Sequence, residues 1–230
     1  LILAPTRELA DQICKELQAF SGKRTVSVVY GGVSYGPQRK ALAKGVDILV
    51  ACPGRLEDLI EQRELTLEDV KQVVIDEADR MADMGFMPAV KRILDQTSKG
   101  RQTILFSATL DQDVAQLKKH YQYNPVTREI GEKTPDIRNA DHTYAIAKKA
   151  EKPELVAKAV NSTWPAIIFC RTRHGADRLV KQLKKLGIES EPIHGGKSQH
   201  QRKRALKNFS TGKVQALVAT DVAARGIHVD

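Results

Sequence analysis

The sequence is poor in cysteine and has no long apolar run. Its three cysteines, Cys14, Cys52 and Cys170, lie far apart and share no Cys-x-x-Cys spacing with one another or with histidine. Neither a disulfide framework nor a zinc site is supported, and a reducing, cytoplasmic setting is the expectation. No apolar stretch approaches the roughly 18 residues of a membrane span and no signal peptide is visible, so no membrane association is expected. The chain opens on Leu1 without an initiator methionine and stops at Asp230 directly after a strand-like run. It is expected to be an internal piece of a longer protein.

What is present is globular: 230 residues, 41% hydrophobic and 28% charged, enough for one large domain or two of moderate size. Lys and Arg number 37 against 28 Asp and Glu, a net charge of +9 that favours a polyanionic partner. The surplus is unevenly placed. Between Ala166 and Lys213 twelve Lys and Arg stand against three acids, a surplus of nine that equals the net charge of the whole chain.

Short β-branched runs alternate with segments of helical period, the pattern of parallel sheets covered by helices. The first half offers strands at Leu1 to Ala4, Thr25 to Tyr30, Asp47 to Ala51, Gln72 to Ile75 and Thr103 to Phe106. Leu9, Ile13, Leu17 and Phe20 form an apolar stripe on a helix that Thr6 is placed to cap. The polar stretch 131–141, with Gly131, Pro135 and Asn139, reads as a linker between units 1–130 and 142–230. The second unit offers strands at Thr143 to Ile146, Ala166 to Phe169, Ser190 to Ile193 and Val214 to Ala219. Its helices fall around Glu154 to Val160, Ala176 to Leu186 and Gln201 to Phe209. Two α/β units with a cleft where they face each other are the expectation.

The strongest single feature is Asp76-Glu77-Ala78-Asp79, directly after the apolar strand Val73-Val74-Ile75. Ligands of open α/β sheets sit at the carboxyl ends of strands, so these carboxylates point where a nucleotide would bind. In nucleotide hydrolysis the first acid after such a strand holds Mg²⁺, and a neighbouring carboxylate orients or deprotonates the attacking water. Those roles fall to Asp76 and Glu77. Taken alone, acids in this place also serve simply to cap the next helix.

The neighbouring strings add a family resemblance. Ala4-Pro5-Thr6-Arg7-Glu8-Leu9-Ala10, Gly31-Gly32, Pro53-Gly54-Arg55, the acidic tetrapeptide, Ser107-Ala108-Thr109 and Ala219-Thr220-Asp221-Val222-Ala223-Ala224-Arg225-Gly226 occur in that order. Across nearly the whole chain this resembles the DEAD-box RNA helicases of superfamily 2. The resemblance implies two RecA-like parallel-sheet domains, both incomplete here and joined by a short linker. It also implies ATP and Mg²⁺ as ligands, and single-stranded RNA held by its backbone and unwound as the two units open and close.

Residue by residue, it gives Thr6, Arg7, Glu8, Gly32, Gly54, Arg55, Gln199, Arg202 and Thr220 to RNA. Asp76, Glu77, Gly226 and His228 go to ATP, with Mg²⁺ on Asp76 through water. Asp79, Ser107 and Thr109 couple the two sites, the hydroxyls bonding Asp79. Hydroxyls after a strand also cap helices, here one starting near Asp111. Arg171 and Arg173 lie close to the second unit's RNA surface or are ordinary basic surface.

Two positions depart from the family pattern. Cys52 stands where threonine is usual, which removes a hydroxyl donor and predicts a weaker grip on phosphate. His228 stands where an aspartate commonly reaches the ribose, and predicts a nucleotide affinity sensitive to pH near neutrality.

One element of nucleotide chemistry is absent within these residues. A Gly-x-x-x-x-Gly-Lys-Ser/Thr loop holds phosphates with its amides and lysine. Gly195-Gly196-Lys197-Ser198 resembles its end, but Glu191 occupies the place of the first glycine, and the segment reads as the turn before Gln199. These 230 residues are therefore expected to bind ATP poorly, hydrolyse it negligibly and keep weak RNA affinity. A non-hydrolysing RNA clamp is the first alternative, and Asp76, Glu77, Ser107 and Thr109 argue against it. A DNA-directed translocase is the second.

Overall fold

The computed structural model describes residues 1–130 and 141–220. They fall into two compact units, one from Leu1 to Tyr123 and a second over residues 124–220.

The first unit is built on five parallel strands: β1 Ile2–Leu3, β2 Val26–Val29, β3 Ile48–Ala51, β4 Gln72–Ile75 and β5 Gln102–Leu105. Their order across the sheet is β2-β3-β1-β4-β5. A parallel sheet buries both faces, so its strands are apolar on both sides and helices cover each. On one face, α1 (Arg7–Phe20) packs Ala10 and Cys14 against Ala4, Tyr30, Val50 and Cys52. On the other, α3 (Pro53–Glu61), α5 (Met87–Asp95) and α6 (Gln112–Tyr121) close over Leu3, Leu49, Val73 and Ile75. Helices α2 (Tyr35–Ala43) and α4 (Ala78–Asp83) follow β2 and β4.

The second unit has three parallel strands, β6 Ala166–Cys170, β7 Ser190–Ile193 and β8 Ala216–Thr220, in the order β6-β8-β7. Helices α7 (Lys152–Ser162) and α8 (Arg173–Lys185) bury Ala157, Val160, Ala176 and Leu183 against Ala216 and Val218. Helix α9 (Gln199–Ser210) packs on β7 and β8. The fold is α/β with parallel sheets, as expected.

Two expectations need correction. Thr143 to Ile146 form no strand, and Tyr144 and Ile146 project fully into solvent. Alternating apolar residues become a strand only where a neighbouring edge accepts their hydrogen bonds, and among the described residues this segment pairs with none. In α1 the apolar stripe stops at Leu17: Phe20, in the last helical position, is 85% exposed. Among the described residues no helix is long and apolar enough to cross a membrane.

Candidate active site and nucleic-acid interface

Strand register gathers the motifs. Val29, Ala51, Leu3, Ile75 and Leu105 pair in one row across the first sheet. The residue after each, in the same order, is Tyr30, Cys52, Ala4, Asp76 and Phe106. Five strings that are far apart in sequence therefore leave the sheet at one carboxyl edge, where ligands of open α/β sheets bind.

Asp76 leaves β4 with its amide donating to the Leu3 carbonyl at 3.0 Å, and the Ala78 amide donates to Phe106 at 3.0 Å, so the acidic turn is held between the flanking strands. Glu77 between them takes a left-handed backbone (φ 49°, ψ 53°), a conformation that disfavours a side chain by roughly 1–2 kcal/mol. Such strain persists only where the surroundings fix it, and it collects at functional turns. Asp76 Oδ1 accepts from the Glu77 amide at 2.9 Å. Glu77 Oε1 lies 3.3 Å from Arg80, while Oε2 is buried with no hydrogen-bond partner.

Burial pushes both carboxyls above their ordinary range. For Asp76 the amide of Glu77 opposes this, and for Glu77 the Arg80 guanidinium opposes it while Asp76 and Asp79 add to it. An acid raised in this way and carrying an open oxygen is suited to accept a proton. Among the described residues no cluster of three His, Cys, Asp or Glu could hold a metal by itself. Two adjacent carboxylates with an unpartnered oxygen nonetheless fit Mg²⁺, which takes one or two carboxylates and completes its shell with water and phosphate.

Ser107 ties this turn to the loop after β5. Its Oγ accepts from the Asp79 amide at 3.1 Å and donates to the Thr109 carbonyl at 2.7 Å. The expected Ser107–Asp79 bond is present, made through the backbone of Asp79. Capping of α6 falls to Asp111, whose Oδ1 accepts from Val114 at 2.8 Å.

The expected nucleic-acid residues divide into two groups. Thr6 caps α1, accepting from Leu9 at 3.3 Å, and Arg7 and Glu8 occupy its first turn. The Arg7 guanidinium lies against Gly32, where a Cβ would stand 2.1 Å from Nη1; Gly32 also has φ +77°, so only glycine suits the position. Gly54 is exposed, and a Cβ there would meet nothing within 4 Å. Thr6 is buried, and Arg7, Glu8, Gly32 and Gly54 offer surface to a ligand.

Arg55, Gln199 and Arg202 do not: they are 7%, 4% and 7% exposed. Thr220 ends β8 half-buried beside Cys170. Cys52, at the N-cap of α3, is buried in the α1-side core and makes no side-chain capping bond. Gly226 and His228 lie outside the described residues.

The segment Gly195–Ser198 is a turn, closed by the Lys197 amide on the His194 carbonyl at 2.9 Å. Ser198 caps α9 in a reciprocal box with Gln201. Lys197 pairs with Asp177 at 2.8 Å, and the buried His194 lies 3.2 Å from the same oxygen. Sequence reasoning passed over Gln38, which is buried and bonds the Tyr30 amide and the Ser34 carbonyl, stapling the Gly31-Gly32 loop. No periodicity could have marked it, because a glutamine inside a helix is ordinarily surface.

Parallel sheets, the first carrying a strained acidic turn and a glycine-arginine loop at one carboxyl edge, define an α/β protein of the RecA-like class. Residues 1–117 match the family model described as DEAD/DEAH box helicase, and residues 151–230 match that of the helicase conserved C-terminal domain. The chain belongs to the DEAD/DEAH box helicase family.

It is 42% identical over 234 residues to a Zea mays protein named DEAD-box ATP-dependent RNA helicase 3B, chloroplastic, covering 100% of this chain and 31% of that one. It is 40% identical over 233 residues to the DEAD-box ATP-dependent RNA helicase CshA of Streptococcus pneumoniae, covering 100% and 44%. The chain spans less than half the length of both relatives. Among solved structures it is similar to the yeast DEAD-box splicing factor Prp28, with a TM-score of 0.54 and 34% identity over 99% of this chain and 54% of that one. It is also similar to S. cerevisiae Dbp5 bound to Gle1 and IP6, with a TM-score of 0.67 and 29% identity over 99% and 58%.

Proposed function

We propose that the full-length protein is an ATP-dependent RNA helicase that grips single-stranded RNA by its backbone and unwinds short duplexes as it hydrolyses ATP. The observation that carries this reading is Glu77: an acid on a strained turn, raised by burial, with one oxygen buried and unpartnered beside Asp76. A structural acid would have both oxygens bonded or in water.

In this reading Asp76 would hold Mg²⁺ through water, and the ion would supply charge neutralisation on the phosphates. Glu77 accepts the proton of the attacking water, a role worth on the order of 10²- to 10⁴-fold in rate. Arg80 holds its other oxygen and so sets the orientation of the carboxylate. Ser107 passes the position of the acidic turn to the loop at Thr109. Arg7 with the Gly32 loop, and the exposed Gly54, present cation and backbone to phosphates, a contact with little sequence specificity.

Within residues 1–230 there is no phosphate-binding loop of the Gly-x-x-x-x-Gly-Lys-Ser/Thr kind, so the chain by itself hydrolyses ATP negligibly. Measurable RNA-stimulated turnover by these residues alone would contradict that. Strand displacement tests the whole reading. Full-length protein should separate a short RNA duplex only with ATP, and Glu77→Gln should abolish separation while RNA stays bound. Binding without ATP-dependent separation by the wild type would leave a clamp in its place.

A further inference from the structure

Arg55 was expected to meet RNA phosphate, yet its side chain is 6% exposed. A guanidinium that reads phosphate must reach it, and this one is turned inward. Its Nη2 donates to the Val33 carbonyl at 3.1 Å, in the loop that carries Gly32. Its Nε lies 3.8 Å from Asp58, and both Nε and Nη1 are buried without a hydrogen-bond acceptor. A buried cation with unsatisfied donors is unfavourable unless something else stabilises the charge.

Here that is the face of Tyr35, whose ring centroid is 3.8 Å from the guanidinium carbon. Tyr35 is itself fixed, its hydroxyl donating to Asp58 at 3.0 Å. The aromatic face attracts the cation electrostatically and presents no competing acceptor, so the remaining donor bond stays directed at Val33.

We propose that Tyr35 and Arg55 form a positioning pair for the RNA-binding loop: the ring holds the guanidinium, and the guanidinium holds the Val33 carbonyl and so the placement of Gly32 toward the strand. Arg55 does not touch phosphate; Arg7 and the backbone at Gly32 and Gly54 do. The inference rests on the RNA-binding reading above and assigns a role to Tyr35 that no motif marks.

The test is the salt dependence of binding of a labelled single-stranded RNA oligonucleotide to the 230-residue chain. Each phosphate contact on a single strand contributes about 0.7 to the slope of log K against log salt. Arg7→Ala should lower affinity and flatten the slope by about that amount. Tyr35→Leu and Arg55→Leu should each weaken binding about tenfold with the slope unchanged. The double variant should be no weaker than either, because residues that act as one unit are non-additive. Tyr35→Phe, which keeps the ring, should bind like the wild type.

If Arg55→Leu flattens the slope by about 0.7, or Tyr35→Leu leaves affinity intact, the positioning role is overturned. Should Tyr35→Leu fail to fold, Arg55→Lys decides: the charge is kept but the planar fork is lost. Weakened binding then supports positioning, and unchanged binding overturns it. No RNA binding by the wild type, or none lost in Arg7→Ala, would overturn the RNA reading itself and this proposal with it.

Discussion

Glu77 sits where its own charge is disfavoured, and that has a measurable consequence. Burial raises its carboxyl above the ordinary range, as it does for Asp76. An acid raised in the folded state contributes stability that is complete below its unfolded pKa and is lost as pH rises through the folded value. At pH 7 the wild type has lost that contribution, whereas an amide keeps it. Glu77→Gln should therefore melt higher than the wild type at pH 7, with the gap closing toward about pH 4, where the acid is protonated in both states.

A lower melting temperature for the variant at pH 7 would mean that the Arg80 ion pair outweighs burial. Gly32→Ala belongs to the same scale: φ +77° and a Cβ 2.1 Å from Arg7 Nη1 force the guanidinium off the loop. RNA affinity should fall, with roughly 1 kcal/mol of stability lost to the backbone; anisotropy and urea unfolding would measure the two. The placement of Asp76, Glu77 and Arg7 was legible because it follows from residue type and position after a strand or before a helix. The burial of Arg55 was not legible, because arginine after Pro-Gly is normally solvated and its contacts with Tyr35 and Val33 are tertiary.

At the scale of elements, the sequence located β4 and β7 to the residue and the other paired strands to within one or two, because buried parallel strands are short runs with clear borders. The failure at Thr143 to Ile146 comes from a property no local pattern holds, the presence of a partner edge. Ser198 shows a second kind of miss. The turn before Gln199 was read as a turn, but the capping box of Ser198 and Gln201 that opens α9 was not foreseen. Ser198→Ala should lower unfolding free energy by about 0.5–2 kcal/mol in urea titration, since the Gln201 amide loses its acceptor.

Ser107→Ala is expected to act differently. It removes the acceptor of the Asp79 amide and the donor to Thr109, so the acidic turn and the loop after β5 move independently. ATP turnover should survive in the full-length protein while duplex separation is lost; equal loss of both would place Ser107 in the chemistry rather than the coupling.

For the molecule as a whole, the order of the motifs was readable but their convergence was not. Strand order β2-β3-β1-β4-β5 and the row through Val29, Ala51, Leu3, Ile75 and Leu105 bring five distant strings to one edge. Nothing in a local window specifies that order. The central claim is that this edge hydrolyses ATP in response to RNA, and it is tested most directly by steady-state ATP turnover of the full-length protein with and without single-stranded RNA. Turnover that rises with RNA and falls by about 10² or more in Glu77→Gln is the predicted result. Turnover that is absent, or that ignores both RNA and the loss of the Glu77 carboxylate, would contradict the account.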